Sequence, residues 1–170
     1  MRIEGPRVRA AEAADVGRVV ALERGIAEAP HWAEAEYAAM VDVGKAGSAV
    51  RRCFFVAEAE GRLVGFAVGK VIGSSEGLGE LESVAVEAVA RRGGVGKALC
   101  AAVGGWCREW GAARLELEVR AGSAGAISLY AGLGFVVVGR RVGYYREPVE
   151  DALLMRLDLR GAEESGSLSG

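Results

Sequence analysis

The run Arg91-Arg92-Gly93-Gly94-Val95-Gly96-Lys97-Ala98 gathers residue types suited to holding an anion. Glycine brings the backbone close to a ligand with no Cβ in the way. The N–H groups at the start of a following helix face a negative group, and the basic side chains add charge. A strand-like stretch, Leu81 to Val86, precedes the run and a long amphipathic segment follows it, so a phosphorylated ligand is expected. Spacing separates the known phosphate motifs. A nucleotide P-loop, G-x-x-x-x-G-K-[ST], requires glycine where Arg91 stands and a hydroxyl where Ala98 stands. A dinucleotide fingerprint starting at Gly94 requires a small residue where Leu99 stands. What remains is basic-x-x-Gly-x-Gly; the alternative is an ordinary glycine-rich turn beside surface arginines.

The elements that must position this run alternate between strand and helix. Arg7 to Ala10 reads as a strand, and Ala13 to Ala27 carries Val16, Val19, Val20 and Glu23 at helical spacing. Pro30-His31-Trp32 interrupts that helix, and Ala33 to Val43 reads as a second, with a loop over Lys45 to Ser48. Cys53 to Glu58 and Arg62 to Val71 form a hairpin turning at Glu60-Gly61. Glu80 to Val86 is a strand without clean alternation, as expected where both faces are covered. After the glycine run, Val95, Leu99, Ala102, Val103, Trp106 and Trp110 fall on one helical stripe that ends at Gly111. Arg114 to Arg120 alternates strictly, Leu115, Leu117 and Val119 against Glu116, Glu118 and Arg120. A helix over Ala124 to Leu133, closed by Gly134, precedes strands at Phe135 to Val138 and Ala152 to Leu159. Helices then cover both faces of a mixed central β-sheet, an α/β architecture.

Composition sets the bounds. With 170 residues, 51% hydrophobic and 26% charged, one domain over residues 1–160 is expected, followed by a small, polar, disordered tail over 161–170. A net charge of -2 argues against nucleic-acid binding driven by phosphate neutralisation. Cys53, Cys100 and Cys107 lack C-x-x-C spacing and read as small buried apolar residues. Met1 to Ala10 lacks the apolar core of a signal peptide, and every apolar stretch falls short of the roughly 20 residues that cross a bilayer. A reduced cytoplasm, with no membrane partner, is the expected setting. His31 is the only histidine, which leaves a histidine-rich metal site or a Ser-His-Asp triad without a second partner, so no metal is expected and His31 is read as a surface loop residue.

The basic-x-x-Gly-x-Gly run and the order β-α-α-β-β-β-α-β-α-β-β resemble the GNAT superfamily of acetyl-CoA-dependent N-acetyltransferases, over roughly Arg7 to Leu159. Leu115-Glu116-Leu117-Glu118-Val119-Arg120, Ala126-Ile127-Ser128-Leu129-Tyr130 and Gly134-Phe135 look like its bacterial RimI-type branch, which acetylates the N-terminal alanine of a ribosomal protein. Arg140-Arg141-Val142-Gly143-Tyr144-Tyr145, then Glu150-Asp151-Ala152 and Met155, is similar to the closing segment of that branch, and Pro30-His31-Trp32 to its substrate-side junction. The resemblance implies a GNAT fold and direct attack of an amine on acetyl-CoA. It also implies a protein or peptide N-terminus as partner, in a chain expected to be a monomer or weak dimer.

It implies site residues as well. Glu118 matches the family's proton acceptor and Tyr130 is the candidate acid. A carboxylate near pKa about 4.3 is a weak base alone, which suits action through a water, and a phenol near about 10 stays protonated to serve a thiolate near about 8.5. The alternatives are a solvated glutamate on a polar strand face and a packed core tyrosine. Glu116 is read as structural, and Glu82 is a reserve base. The backbone of Val84, Ala85 and Val86 would hold the pantetheine arm. Arg92, Gly93, Gly94, Val95, Gly96 and Lys97 would cradle the pyrophosphate. Ser123 stands where the family usually has a cofactor-contacting asparagine, which weakens that contact or routes it through water.

Trp32, Tyr144 and Tyr145 would wall a slot for an extended peptide, packed core aromatics being the alternative. An N-terminal amine costs roughly 3 kcal/mol less to deprotonate at neutral pH than a lysine, which favours an α-amine acceptor. Acetylation of lysine or small-molecule amines, and a non-catalytic acyl-CoA-binding module, are the other readings.

Overall fold

The structure, a computed structural model, describes residues 5–26, 29–41, 50–73, 77–91 and 93–160. The expected loop at 45–48, the end of the second expected helix, Arg92 and the tail at 161–170 lie outside these residues. The chain runs β1 (Arg7–Ala10), a single 3-10 turn (Ala13–Asp15), α1 (Val16–Arg24), α2 (Glu34–Val41), β2 (Val50–Ala59), β3 (Arg62–Ile72) and β4 (Leu78–Val86). A second 3-10 turn (Ala88–Ala90) leads to α3 (Val95–Glu109), β5 (Arg114–Arg120), α4 (Ala124–Gly132), β6 (Val136–Arg146) and β7 (Val149–Asp158). The expected order of elements is the observed one.

The strands form one sheet in the order β1-β2-β3-β4-β5-β7-β6, antiparallel except where β4 meets β5. Helical spacing buries Val16, Val19 and Val20 of α1 together with Tyr37 of α2 against Phe54, Val56 and Phe66 on one face. On the other face Val95, Leu99, Val103 and Cys107 of α3 pack on Val64, Leu81 and Leu115. The strand alternation of β5 is exact in burial, with Leu115, Leu117 and Val119 inward. Gly69 of β3 lets α3 come close, because a Cβ there would lie 2.4 Å from Cγ1 of Val103.

Three expectations need correction. The buried line of α3 runs through Val95, Leu99, Cys100, Val103 and Cys107, so Trp106 is only half-buried. Trp110 lies past the helix end, 48% exposed, under the guanidinium of Arg51 at 4.1 Å. Second, the irregular pattern of β4 comes from a bulge as well as from coverage. Val68 pairs with Ser83 and Gly69 with Leu81, leaving Glu82 unopposed. The extra residue reverses the phase, so that Leu81 before it and Val84 and Val86 after it all pack on the α3 face. Third, β6 extends to Arg146, well beyond the expected Val138. It is an edge strand exposed on both faces, so it carries no hydrophobic period to read.

Burial pushes the thiols of Cys53, Cys100 and Cys107 up to about 12 from an ordinary 9.0. A raised folded pKa means that the unfolded chain loses protons first. Stability is therefore full below pH about 9 and falls between there and about 12. Melting temperatures recorded from pH 7 to 11 should decline from about pH 9, and less steeply in Cys100→Ala.

Candidate active site

β4 and β5 pair in parallel only over Leu78–Glu80 and Arg114–Glu116. Beyond that register the strands part, as expected after the Glu82 bulge, because a bulge bends its strand. The crevice beyond the carboxyl ends of parallel strands is where α/β sheets take ligands. Val84, Ala85 and Val86 form the β4 wall of this opening. The chain leaves Val86, makes the 3-10 turn and enters α3 at Gly94, whose φ of 80° is left-handed and suits glycine. The first bond of α3 runs from Ala98 N–H to the Gly94 carbonyl at 3.0 Å, so the N–H groups of Val95, Gly96 and Lys97 carry the positive end of the helix without intrahelical partners. Arg91 Nε donates to the Val86 carbonyl at 3.3 Å, tying the turn to the strand end.

Gly96 also has a packing role. A Cβ there would sit 3.0 Å from Cδ2 of Leu129, so its smallness seats α4 against α3. Ser123 is the N-cap residue of α4, and its hydroxyl makes no capping hydrogen bond.

The face of β4, β5 and β7 beside α1 and α2 carries a row of carboxylates that differ in how firmly they are paired. Glu82, the reserve base, is held by Arg52 at 3.1 Å and Lys70 at 3.2 Å. Glu116 accepts from Arg156 Nε at 2.8 Å, in keeping with a structural role. Among the described residues, the ion-pair partner of Glu118 is Arg141, whose Nη2 lies at 3.4 Å and whose side chain is 58% exposed. The Arg141 guanidinium lies 5.4 Å from the Tyr144 ring, and Tyr144 meets Tyr145 edge-on at 5.1 Å. Hydrogen bonding to Glu118, then its charge, raises the pKa of the Tyr144 phenol. Arg120 stacks on Tyr145 at 4.1 Å. Glu118, Tyr144 and Tyr145 are thus brought together. Arg141 and Arg120 join them without having been assigned a role from sequence, although both lie inside the segments that carried the resemblance.

Tyr130 projects from α4, edge-on to Phe135 at 5.8 Å. Burial pushes its phenol well above the ordinary value, with smaller effects from Cys100 and Tyr145, so the proton stays on oxygen. Trp32 is half-buried: its ring packs on Tyr37 at 5.6 Å and rests against the α1–α2 core. Beneath it lies Glu23, 3% exposed, which accepts from Tyr37 Oη at 2.6 Å and from the His31 N–H at 3.1 Å. His31 itself is exposed, with φ of 53°. Glu23 sits among the valines of α1 at helical spacing, and only that placement signalled its burial.

The sequence profile of the acetyltransferase (GNAT) family matches residues 21–135. The chain belongs to the GNAT family. Over 103 residues this GNAT chain is 37% identical to the [ribosomal protein bS18]-alanine N-acetyltransferase of Escherichia coli K12, covering 58% of the chain and 66% of that enzyme. Over 116 residues it is 36% identical to an N-alpha-acetyltransferase of Sulfurisphaera tokodaii, covering 62% of the chain and 69% of the relative. The crystal structure of the Escherichia coli ribosomal-protein-S18-alanine N-acetyltransferase superposes with a TM-score of 0.73 at 29% identity, over 91% of this chain and 94% of that one.

Proposed function

We propose that this GNAT protein transfers an acetyl group from acetyl-CoA to the N-terminal α-amine of a protein, by direct attack, with Glu118 as general base and Tyr130 as general acid. The observation that carries the reading is the loose pairing of Glu118. An exposed arginine is its only ion-pair partner among the described residues, and an incoming ammonium can replace it. Acetyl-CoA supplies the thioester and a thiolate leaving group. Its phosphates suit the unpartnered N–H groups of Val95 to Lys97 and the charge of Lys97 and Arg92, and its amide-bearing arm suits the β4 edge at Val84 to Val86. Ser123 offers a single hydroxyl beside that arm.

On the acceptor side, Tyr144 and Tyr145 offer ring area and phenol groups to an extended peptide, with Trp32 on the α1–α2 side of the slot. Glu118 takes a proton from the amine, through a water where the distance requires it, and Tyr130 gives one to the departing sulfur. Similarity to the Escherichia coli enzyme supports the N-terminal alanine of a ribosomal protein as the first acceptor to test.

Coenzyme A release is measured with two peptides, one beginning with a free alanine and free of lysine, the other N-terminally blocked with one internal lysine. Turnover on only the first is expected. Turnover on only the second replaces the reading with lysine acetylation. Silence on both, with acetyl-CoA still bound, replaces it with a small-molecule acceptor or a binding module.

A further inference from the structure

Successive residues of a regular strand point to opposite faces of the sheet, so neighbouring side chains do not meet. Tyr144 and Tyr145 break that rule, their ring centroids lying 5.1 Å apart. The cause is a wide irregularity in β6. Arg141 pairs with Ala152 and Tyr145 with Glu150, so Val142, Gly143 and Tyr144 stand opposite Asp151 alone. Gly143 takes φ of 63°, a left-handed conformation that side chains resist. Such a segment loses ladder hydrogen bonds and needs another support.

Asp151 provides it. Its Oδ1 accepts the Gly143 N–H at 2.8 Å and its Oδ2 accepts Arg140 Nε at 2.7 Å, one carboxylate tying the middle of the irregularity and the strand before it to β7. The same two donors, the Gly143 amide first, hold the carboxyl below its ordinary pKa, so the clasp is ionised at neutral pH. Between the two clasped residues, Arg141 reaches Glu118 at 3.4 Å, and just after them Tyr144 lies close enough for Glu118 to raise its phenol.

We propose that Asp151 is a positioning residue for the acceptor: its carboxylate holds the β6 bulge that sets Arg141, Tyr144 and Tyr145 against Glu118, and so governs acceptor binding from outside the site. The proposal rests on the reading of Glu118 as the acceptor-side base. The bulge belongs to β6, on the far side of β5 and β7 from the β4 wall and the glycine turn, so the donor side is independent of it.

The test compares Asp151→Ala, Gly143→Val and the double variant in the full chain. Each single change should raise KM for the free-alanine peptide roughly tenfold, within the range that misplacement of a positioning group costs. The double change should add little, because both open one bulge. Acetyl-CoA affinity should stay at the wild-type value. A purely structural role would instead lower the melting temperature and weaken both substrates together.

A readout that needs no turnover accompanies the kinetics. Glu118→Gln should shift the ring resonances of Tyr144 in the wild-type background and leave them unmoved in the Asp151→Ala background. A shift of equal size in both backgrounds overturns the proposal, as does an unchanged KM in a variant that still turns over. Absence of wild-type turnover on the peptide counts against the function reading, while the Tyr144 resonances still decide this one.

Discussion

Glu118→Gln lowers kcat by at least about tenfold and leaves the dissociation constant for acetyl-CoA near the wild-type value. Glutamine keeps the shape of the side chain and its place under Tyr144, and loses only the ability to take a proton. Since the donor is assigned to the β4 edge and the start of α3, its affinity has no reason to change. Glu116→Gln is the matched control. Glu116 sits two residues earlier on the same strand face and is bridged by Arg156, so its loss costs stability and leaves kcat close to wild type. Tyr130→Phe belongs to the same series, with a reduction of about tenfold. The ring keeps its contact with Phe135 and only the hydroxyl is gone. A thiolate leaves more readily than an amine or alkoxide, which makes the acid less critical than the base. Stopped-flow or steady-state release of coenzyme A, beside direct titration of acetyl-CoA, measures all three. Unchanged turnover in Glu118→Gln removes it from the mechanism, and unchanged turnover in Tyr130→Phe removes the phenol.

Much of this arrangement was legible in the residues, for physical reasons. β5 alternates because one face is buried and the other polar, so both its existence and the outward direction of Glu118 follow from a period of two. The glycine run could be read because left-handed φ at Gly94 leaves a compositional mark. What stayed hidden has a physical cause too. The bulge at Glu82 inserts one residue and inverts the phase of β4, which makes a period count read as noise. The length of β6 was missed because an edge strand has no buried face to pattern it. Arg141 and Asp151 stand in the segment that resembles the family's closing stretch, yet their contacts depend on a bulge register that no spacing rule supplies. The contact of Trp32 with Tyr37 was hidden as well, because the two residues lie on either side of the start of α2 and no strand or helix period links them. Gly94 and Gly96 also divide in their surroundings, open space at the first and Leu129 at the second, which composition alone could not reveal.

That division gives the second large effect. In Gly94→Ala a methyl group is forced into φ of 80°, where left-handed backbone costs an L-residue roughly 1–2 kcal/mol. Nothing within 4 Å blocks the new Cβ, so the strain is relieved by moving the backbone rather than a neighbour. The groups that move are the N–H donors at the start of α3, and acetyl-CoA affinity should fall by about tenfold while kcat at saturation changes little. Gly96→Ala should divide its effect differently. Alanine gains roughly 1 kcal/mol of helix propensity, which offsets the squeeze on Leu129 and holds the melting temperature near wild type. The displaced Leu129 lies next to Tyr130 on α4, so the loss should fall on kcat rather than on donor affinity. Calorimetric titration of acetyl-CoA and saturation kinetics on both variants separate the two. If Gly94→Ala loses stability yet binds acetyl-CoA like wild type, the turn is only a helix start and the phosphate lies elsewhere. If Gly96→Ala weakens the donor instead of turnover, Gly96 approaches the ligand after all, and the contact with Leu129 is incidental.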